Sequence, residues 1–401
     1  MVKIKQIFSR ERLENPAQEL STRLAKSGLL TSIKPGMRIA VTSGSRGIHS
    51  IASLTRAVVD ELKRVGGLPF IVPSMGSHGG GTARGQLEML DSLGVTEESM
   101  GVPVLSSVET TQLGTTPSGT PVYMDKNALG ADGIVILNRI KLHTAYHGHI
   151  ESGLCKMVVV GLGKRDGASA LHNAGLGDEV AESFRVSRGK APLLLGVAIL
   201  ENAFDETLDI RVVPPDEFEA TDHELLKRCR DIVPRVPFNN FDILIVDEMG
   251  KNVSGTGMDT NIIGFWRRFG GERNPDYRTL IVRDLTPESH GNAMGIGFAD
   301  LTTRRLVDKI DYTPTYTNGI TSGTWAIVRI PITLENDREC LRVALDKHEP
   351  GQAKVIRIKN TLELEELYIS ENLVDEARDR NDLDIAGDES DMLFDSNGNL
   401  V

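Results

Sequence analysis

Two consecutive strand–loop–helix units near the start of the chain constrain the fold most strongly. Short apolar runs at residues 38–42 and 68–72 predict two buried strands. A glycine-punctuated polar loop follows each run, at residues 43–47 and 74–82, and each loop leads into a segment with apolar residues at helical spacing. Strands connected through helices pair in parallel with right-handed crossovers. We therefore expect both loops at the carboxyl edge of one sheet, where open α/β sheets bind ligands.

A third predicted strand, residues 131–137, leads directly into the segment that is richest in chemically versatile side chains. Residues 138–175 contain four of the nine histidines, His143, His147, His149 and His172. Imidazole supplies much of the acid/base chemistry that proteins perform near neutral pH, and it is a common metal ligand. This segment is the first candidate for the functional site.

Sequence spacing leaves two interpretations of the first three histidines open. His143 and His147 would share a face of a helix, whereas His147 and His149 would share a face of a strand. A polar loop with solvated histidines is the alternative for any one of them. The position of the cluster after a strand and beside glycine-rich loops favours a functional role for the group.

Two lysines of the same segment also allow a structural and a functional interpretation. Lys156 precedes an apolar run, so it either extends along a strand edge or is partly desolvated, as a covalent or anion-binding lysine would be. Lys164 and Arg165 lie just before a predicted helix that contains His172, an arrangement that suits an anion. A helical histidine such as His172 is more often structural than a ligand.

The length of 401 residues predicts two domains, and a proline-containing stretch near residues 232–241 is the expected boundary. We assign residues 1–236 to an N-terminal domain and residues 237–401 to a C-terminal domain. The predicted fold class is α/β, with two α/β domains, mostly parallel sheets and an active-site cleft between them. The C-terminal domain is predicted to contain strands near 241–246, 277–282, 325–330 and 354–358, a helix near 362–367, and an acidic, mobile tail.

Composition excludes several classes of function. The net charge is −11 and no basic run is interleaved with aromatic residues, which argues against a nucleic-acid-binding face. No stretch approaches the roughly 20 apolar residues of a membrane span. The N-terminal residues lack the apolar core of a signal peptide, and three scattered cysteines form no disulfide framework. We expect a cytoplasmic protein without a membrane or nucleic-acid partner.

The pairing of Lys156 with His172, sixteen residues apart and after a histidine-containing loop, resembles the nickel-pincer-nucleotide-dependent lactate racemase superfamily. The resemblance extends over both domains and is clearest in residues 36–175. It implies that Lys156 holds a nickel-pincer nucleotide cofactor and that His172 ligates its nickel. It also implies a racemase or epimerase that inverts C2 of a 2-hydroxy acid through reversible hydride transfer to the cofactor.

Further residues are assigned from the same resemblance. The loop at Ser45-Arg46-Gly47 is similar to an Asp-x-x-Arg element, in which Arg46 would contact the substrate carboxylate and Ser43 replaces the aspartate. Met75-Gly-Ser-His78 is similar to a Gly-x-His element, so His78 is implied as one acid/base residue. The second is implied to be His143, with His147 as its competitor.

In the C-terminal domain, Lys251 and Glu248 lie where the family has a cofactor-contact pair, and Lys164 is a further candidate for cofactor contact. The missing aspartate and an altered loop before Lys156 suggest a substrate other than lactate, such as an aldonate or a dicarboxylate. The implied partners are that substrate, cofactor-synthesis and insertion enzymes, and a second copy of the chain.

Two alternatives use the same residues. A metal-dependent isomerase or lyase could bind Zn²⁺ or Mn²⁺ through the histidine cluster without the pincer cofactor. A non-catalytic protein could bind an anionic sugar or nucleotide through Arg46, Lys164 and Arg165.

Overall fold

A computed structural model describes residues 1–45 and 47–401, which form two compact units. One unit comprises Ser9–Val233, and the other comprises Met1–Phe8 together with Pro234–Val401. We refer to them as the N-terminal unit and the C-terminal unit.

The strands in chain order are β1 (Val2–Gln6), β2 (Arg38–Ser43), β3 (Leu68–Pro73), β4 (Thr110–Thr115), β5 (Pro121–Asp125), β6 (Gly133–Arg139), β7 (Leu193–Glu201), β8 (Thr207–Val213), β9 (Ile243–Met249), β10 (Thr279–Leu285), β11 (Leu301–Thr303), β12 (Ile332–Leu334), β13 (Val355–Ile358), β14 (Glu366–Ile369) and β15 (Leu383–Ile385). The α-helices are α1 (Pro16–Lys26), α2 (Ile51–Arg64), α3 (Ala83–Ser92), α4 (Glu97–Met100), α5 (Lys126–Leu129), α6 (Leu154–Lys156), α7 (Lys164–Asn173), α8 (Asp178–Arg188), α9 (Phe218–Ile232), α10 (Thr260–Ile263), α11 (Trp266–Phe269), α12 (Arg304–Val307), α13 (Tyr312–Thr321), α14 (Asp337–Leu345) and α15 (Val374–Arg378).

The N-terminal unit is built on a five-stranded sheet with the order β3-β2-β6-β7-β8, in which only the β7–β8 pair is antiparallel. Both faces of the sheet are buried, because alternate residues of each strand enter two different cores. In β2, for example, Ala40 packs in one core and Val41 in the other. This arrangement explains the continuous apolar runs that predicted these strands. The α/β class with mostly parallel sheets is confirmed.

The C-terminal unit contains an eight-stranded sheet with the order β12-β11-β10-β9-β13-β14-β1-β15. Its first four pairs are parallel, and the pairs that involve β14 and β1 are antiparallel. Strand β1 belongs to this unit because Val2–Lys5 pair with β14 and residues 4–6 pair with β15. We expected residues 1–8 in the N-terminal domain. The structure assigns them to the C-terminal unit, because β1 pairs with strands that lie far away in the sequence.

Two local predictions in the C-terminal unit are wrong. Residues 325–328 form a 3₁₀ turn rather than a strand, and Trp325 is 69% exposed. The segment predicted as a helix at 362–367 leads into β14, whose alternating burial fits its position between β1 and β13.

The acidic tail is anchored near its end. Leu400 is buried, its N–H donates to Asp337 at 2.8 Å, and its carbonyl accepts from Arg283 at 2.6 Å. Among the described residues, none of the helices combines the length and the apolar character that crossing a membrane requires.

Candidate functional site

The carboxyl edge of the five-stranded sheet brings together the loops that follow β2, β3 and β6. Because these strands are parallel, their loops leave the sheet at one edge. The N–H of Ser74 donates to the carbonyl of Ser43 at 2.7 Å, which joins the first two loops at their start. Farther out, the hydroxyl of Ser45 lies 2.5 Å from Nδ1 of His78. The exposed His78 ring is therefore held at the junction of two loops, as the strand pattern predicted.

Lys156 lies on a helical segment that packs against the same two loops. Helix α6 continues into a π-helical turn, Met157–Gly161, and then into α7. A Cβ added at Gly44 would lie 3.2 Å from Cε of Met157, and the N–H of Gly76 donates to the carbonyl of Gly161 at 3.2 Å. The half-buried Lys156 amine lies 5.9 Å from the ring centroid of Tyr146. The segment that carries Lys156 therefore packs, through Met157 and Gly161, against the loops that carry Ser45 and His78.

A buried carboxylate from α9 caps the start of the segment that carries Lys156. Asp222 accepts the N–H groups of Leu154 at 2.8 Å and of Cys155 at 2.9 Å. These are two of the amide groups that a helix start leaves unpaired, and a carboxylate there is favoured by the helix dipole. Burial nevertheless raises the pKa of Asp222 to about 6, against these two hydrogen bonds, which lower it. Burial also raises the pKa of the neighbouring Cys155 thiol.

The loop after β6 is organised around Glu151, whose side chain is fully buried. Its carboxylate accepts the N–H of His143 at 2.7 Å and Nη2 of Arg230 at 2.7 Å, and it lies 3.2 Å from Nδ1 of His147. Its backbone carbonyl accepts the hydroxyl of Tyr146 at 2.6 Å. Burial pushes the pKa of Glu151 upward, but the hydrogen bonds from His147, the His143 amide and Arg230 outweigh it and lower the pKa.

His143 and His147 differ in the way that their rings are held. Nδ1 of His143 accepts the N–H of Ala145 at 3.0 Å, so in the neutral ring the proton lies on Nε2. Nδ1 of His147 faces the carboxylate of Glu151 and is the donor there, which leaves the lone pair of the neutral ring on Nε2. His149 stacks on His223 with ring centroids 3.9 Å apart.

The structure places the other predicted residues of the N-terminal unit in different settings. His172 is exposed in the last turn of α7. Ser43 is buried, and its hydroxyl has no hydrogen-bond partner among the residues that the structure describes. Arg46, the predicted substrate-carboxylate contact, lies outside the described residues.

Lys164 does not suit the predicted contact with a cofactor. Its side chain is fully buried, and its amine lies 3.3 Å from Asp125, donates to Gln86 at 3.2 Å and also donates to the carbonyl of Pro73. Burial lowers the pKa of Lys164, against the attraction of Asp125. The amine is enclosed within the fold and links the end of β3 to α3 and β5.

Three buried carboxylates of the site, Glu151, Glu201 and Asp222, were not predicted. Glu151 had a local signal, because it is the only acidic residue in 138–156 and lies four residues after His147. Glu201, at the end of β7, accepts the N–H of His49 at 2.6 Å and forms an ion pair with Arg139, so it anchors the loop after β2. Its partners lie far away in sequence, and no local pattern indicated it.

The predicted pair in the C-terminal unit lies at and after the carboxyl end of β9. The amine of Lys251 donates to the carbonyl of Gly255 at 2.6 Å and to Asn318 at 3.3 Å. Glu248 accepts from Asn360 at 3.1 Å. The two residues thus have different partners within this unit.

The described residues contain no group of three or more His, Cys, Asp or Glu side chains that could hold a metal ion. Within these residues, the histidine cluster therefore lacks the ligand set that the alternative of a Zn²⁺ or Mn²⁺ site requires. His172 offers one exposed imidazole and Lys156 offers a half-buried amine. These two groups fit a metal that is bound mainly by an organic cofactor and needs few protein ligands.

Comparison with known proteins gives a family for the N-terminal part of the chain and a similar fold for most of its length. The sequence model of the lactate racemase N-terminal domain matches residues 9–183. The structure of the lactate racemase apoprotein from Thermoanaerobacterium thermosaccharolyticum is similar, with a TM-score of 0.55 and 12% sequence identity over 90% of this chain and 98% of that chain. No curated protein sequence matches the chain significantly. The resemblance is therefore confirmed: residues 9–183 belong to the lactate racemase N-terminal domain family, and the chain shares the fold of a lactate racemase apoprotein.

Proposed function

We propose that the protein is a racemase or epimerase that inverts C2 of a 2-hydroxy acid with the help of a nickel-pincer nucleotide. The observation that best supports this is the meeting of three elements at one sheet edge. The loop of Ser45 contacts His78, and the segment that carries Lys156 packs against the loops after β2 and β3. His78 and Lys156, to which this proposal gives an acid/base role and a cofactor-holding role, are thus carried by elements that meet at this edge.

In the proposed reaction two histidines exchange protons with the hydroxyl at C2. One ring nitrogen accepts the hydroxyl proton as the C2 hydride departs, and a second histidine supplies a proton when the hydroxyl re-forms on the opposite face. His78 is one of these residues, and the loop after β6 provides the other. Arg46 would hold the substrate carboxylate through a planar, two-point contact that keeps this end fixed while C2 changes configuration.

Lys156 and His172 are the residues that would hold the cofactor, with Lys156 bonded to the pincer and His172 bound to nickel. When bound, the nickel-pincer nucleotide would supply the acceptor for the C2 hydride. Lys251 and Glu248 are proposed as contacts from the C-terminal unit. Lys164 is omitted from this set because its amine is enclosed by Asp125, Gln86 and the carbonyl of Pro73.

We infer that the substrate is larger or more polar than lactate, such as an aldonate or a dicarboxylate. Ser43 replaces the family's aspartate in the loop that carries Arg46, and its buried hydroxyl lacks a hydrogen-bond partner among the described residues. Such a hydroxyl would gain most from a polar group brought by a substrate.

The proposal is tested on protein that is co-expressed with the enzymes that synthesise the cofactor. Single enantiomers of lactate, malate, tartrate and several aldonates are incubated with the protein, and the products are separated by chiral chromatography. We expect inversion at C2 for at least one acid, stoichiometric nickel, and a mass increase that maps to Lys156 or a nucleotide released on denaturation.

The variants Lys156→Ala and His172→Ala should lose nickel and activity together, whereas His78→Ala should lose activity and keep nickel. Protein without nickel that inverts none of these acids, yet is stabilised by an anionic sugar or nucleotide, would replace this proposal with the binding-protein alternative.

A further inference from the structure

The buried carboxylate of Glu151 distinguishes the two histidines of the loop after β6. We propose that Glu151 is a positioning residue that makes His147, rather than His143, the proton-accepting residue of this loop. The catalytic meaning of this inference depends on the proposed function. The geometric statement, that Glu151 holds His147 with its proton on Nδ1, can be tested without any activity.

The contacts of Glu151 fix both the carboxylate and the loop. One oxygen accepts the N–H of His143, and the other lies 3.2 Å from Nδ1 of His147 and 2.7 Å from Nη2 of Arg230. Arg230 comes from α9 and also donates to the carbonyl of Gly148 at 3.0 Å, so the loop is tied to a helix outside it. Because the Glu151 side chain is fully buried, water does not compete for these bonds.

The hydrogen bond to Glu151 suits His147 to accept a proton. With Nδ1–H directed at the carboxylate, the neutral ring carries its lone pair on Nε2, and a proton taken up at Nε2 creates an imidazolium next to a negative charge. The same relation between a buried carboxylate and a histidine orients the base in many enzymes. The side chain of His147 is 41% exposed, which leaves it accessible from solvent.

His143 is held in the opposite way. Its Nδ1 accepts the N–H of Ala145, and a proton added there would point at that N–H and break the bond. The ring also lies against Tyr146, with centroids 4.5 Å apart. This ring therefore favours the neutral form with a proton on Nε2, so it can donate a hydrogen bond but is poorly arranged to take up a proton.

Nitrogen NMR of the full chain, labelled with ¹⁵N-histidine, tests the geometry directly. The spectrum is recorded at a pH where the rings are neutral, and the signals are assigned with the variants His147→Gln and His143→Gln. We expect His147 in the Nδ1–H form and His143 in the Nε2–H form. An Nε2–H form of His147 would overturn the proposal.

Kinetics with a substrate that the wild type inverts supply the second test. Glu151→Gln keeps the size and one acceptor oxygen but removes the charge, so we expect kcat to fall at least about tenfold with little change in KM. Glu224→Gln, on the exposed side of α9, is the matched control and should retain the wild-type rate.

His147→Gln should reduce kcat by about 10²-fold or more, and His143→Gln should reduce it less. The reverse order would refute the assignment of His147 while leaving the racemase proposal intact. If the wild type inverts none of the acids, the racemase proposal is refuted. The tautomer of His147 then tests only the geometric statement about Glu151.

Discussion

At the scale of single residues, Lys164 shows how burial decides the role of a side chain. Its position before a helix suggested an anion site, yet its amine is enclosed by Asp125, Gln86 and the carbonyl of Pro73. Burial raises the pKa of Asp125 and lowers that of Lys164, while the attraction between them opposes both shifts. The two charges depend on each other, because either one alone would be buried without compensation.

We therefore predict that Lys164→Met destabilises the protein by about 3–5 kcal/mol, because it leaves the Asp125 carboxylate buried and unpaired. The double variant Lys164→Met/Asp125→Asn should recover much of that loss. Urea denaturation at pH 7 measures both. Lys126→Met is the matched control, since the exposed pair of Lys126 with Glu109 contributes little. Equal losses for Lys164→Met and Lys126→Met would contradict the structural role of the buried pair.

At the scale of elements, the segment that carries Lys156 depends on a cap from a distant helix. Asp222 has a folded-state pKa of about 6, above the value near 3.9 of an unfolded chain. The folded protein thus holds the proton more tightly than the unfolded chain. Between pH 4 and 6 the native state binds more protons, so stability falls as the pH rises through this window.

The expected size of this effect is roughly 3 kcal/mol at most. The measurement compares wild type with Asp222→Asn by chemical denaturation from pH 4 to 7. Since the variant cannot titrate at this position, the difference in unfolding free energy between the two proteins should favour wild type most at the lowest pH. A difference that does not vary with pH would show that Asp222 keeps an ordinary pKa.

The contact between the π-helical turn and the loop after β3 provides a second prediction at this scale. A Cβ added at Gly161 would lie 2.8 Å from the carbonyl oxygen of Ser74 and 2.5 Å from Sδ of Met157. Gly161→Ala should therefore destabilise the protein by about 1–3 kcal/mol through overpacking. Thermal denaturation measures the change. Gly189→Ala is the control, because the same addition there meets no atom closer than 3.8 Å, and a similar loss in both variants would argue against the close packing.

At the scale of the whole molecule, the first strand of the chain completes the sheet of the C-terminal unit. Ile4 is fully buried between β14 and β15, whereas Ile7, three residues later, is 51% exposed. Removing buried methyl groups from such a position costs about 2–5 kcal/mol. Strand β1 therefore stabilises a unit whose other residues begin at Pro234.

Hydrogen exchange monitored by mass spectrometry tests this dependence. Ile4→Ala should increase amide exchange in β14 and β15 and leave the N-terminal unit, Ser9–Val233, unchanged. Ile7→Ala should leave both units close to wild type. If Ile4→Ala increased exchange only in the N-terminal unit, the assignment of β1 to the C-terminal unit would be wrong.

Local sequence patterns determined the strands and loops that build the site. The apolar runs of β2, β3 and β6 predicted parallel strands, and the loops that follow them do meet at one edge, where His78 contacts Ser45. These features were predictable because hydrophobic periodicity and glycine-rich loops act over a few residues. The resemblance between Lys156, His172 and a known pattern supplied the family in the same way.

Tertiary structure alone decided which polar side chains support the site. Asp222 caps a helix 67 residues away, and Arg230 reaches Glu151 from 79 residues away. The same dependence on distant partners explains the errors, since β14 is a strand because β1 and β13 flank it, and Lys164 is buried because Asp125 meets it. Sequence patterns report which elements form, but the burial and pairing of a charge depend on chain segments that only the folded structure brings together.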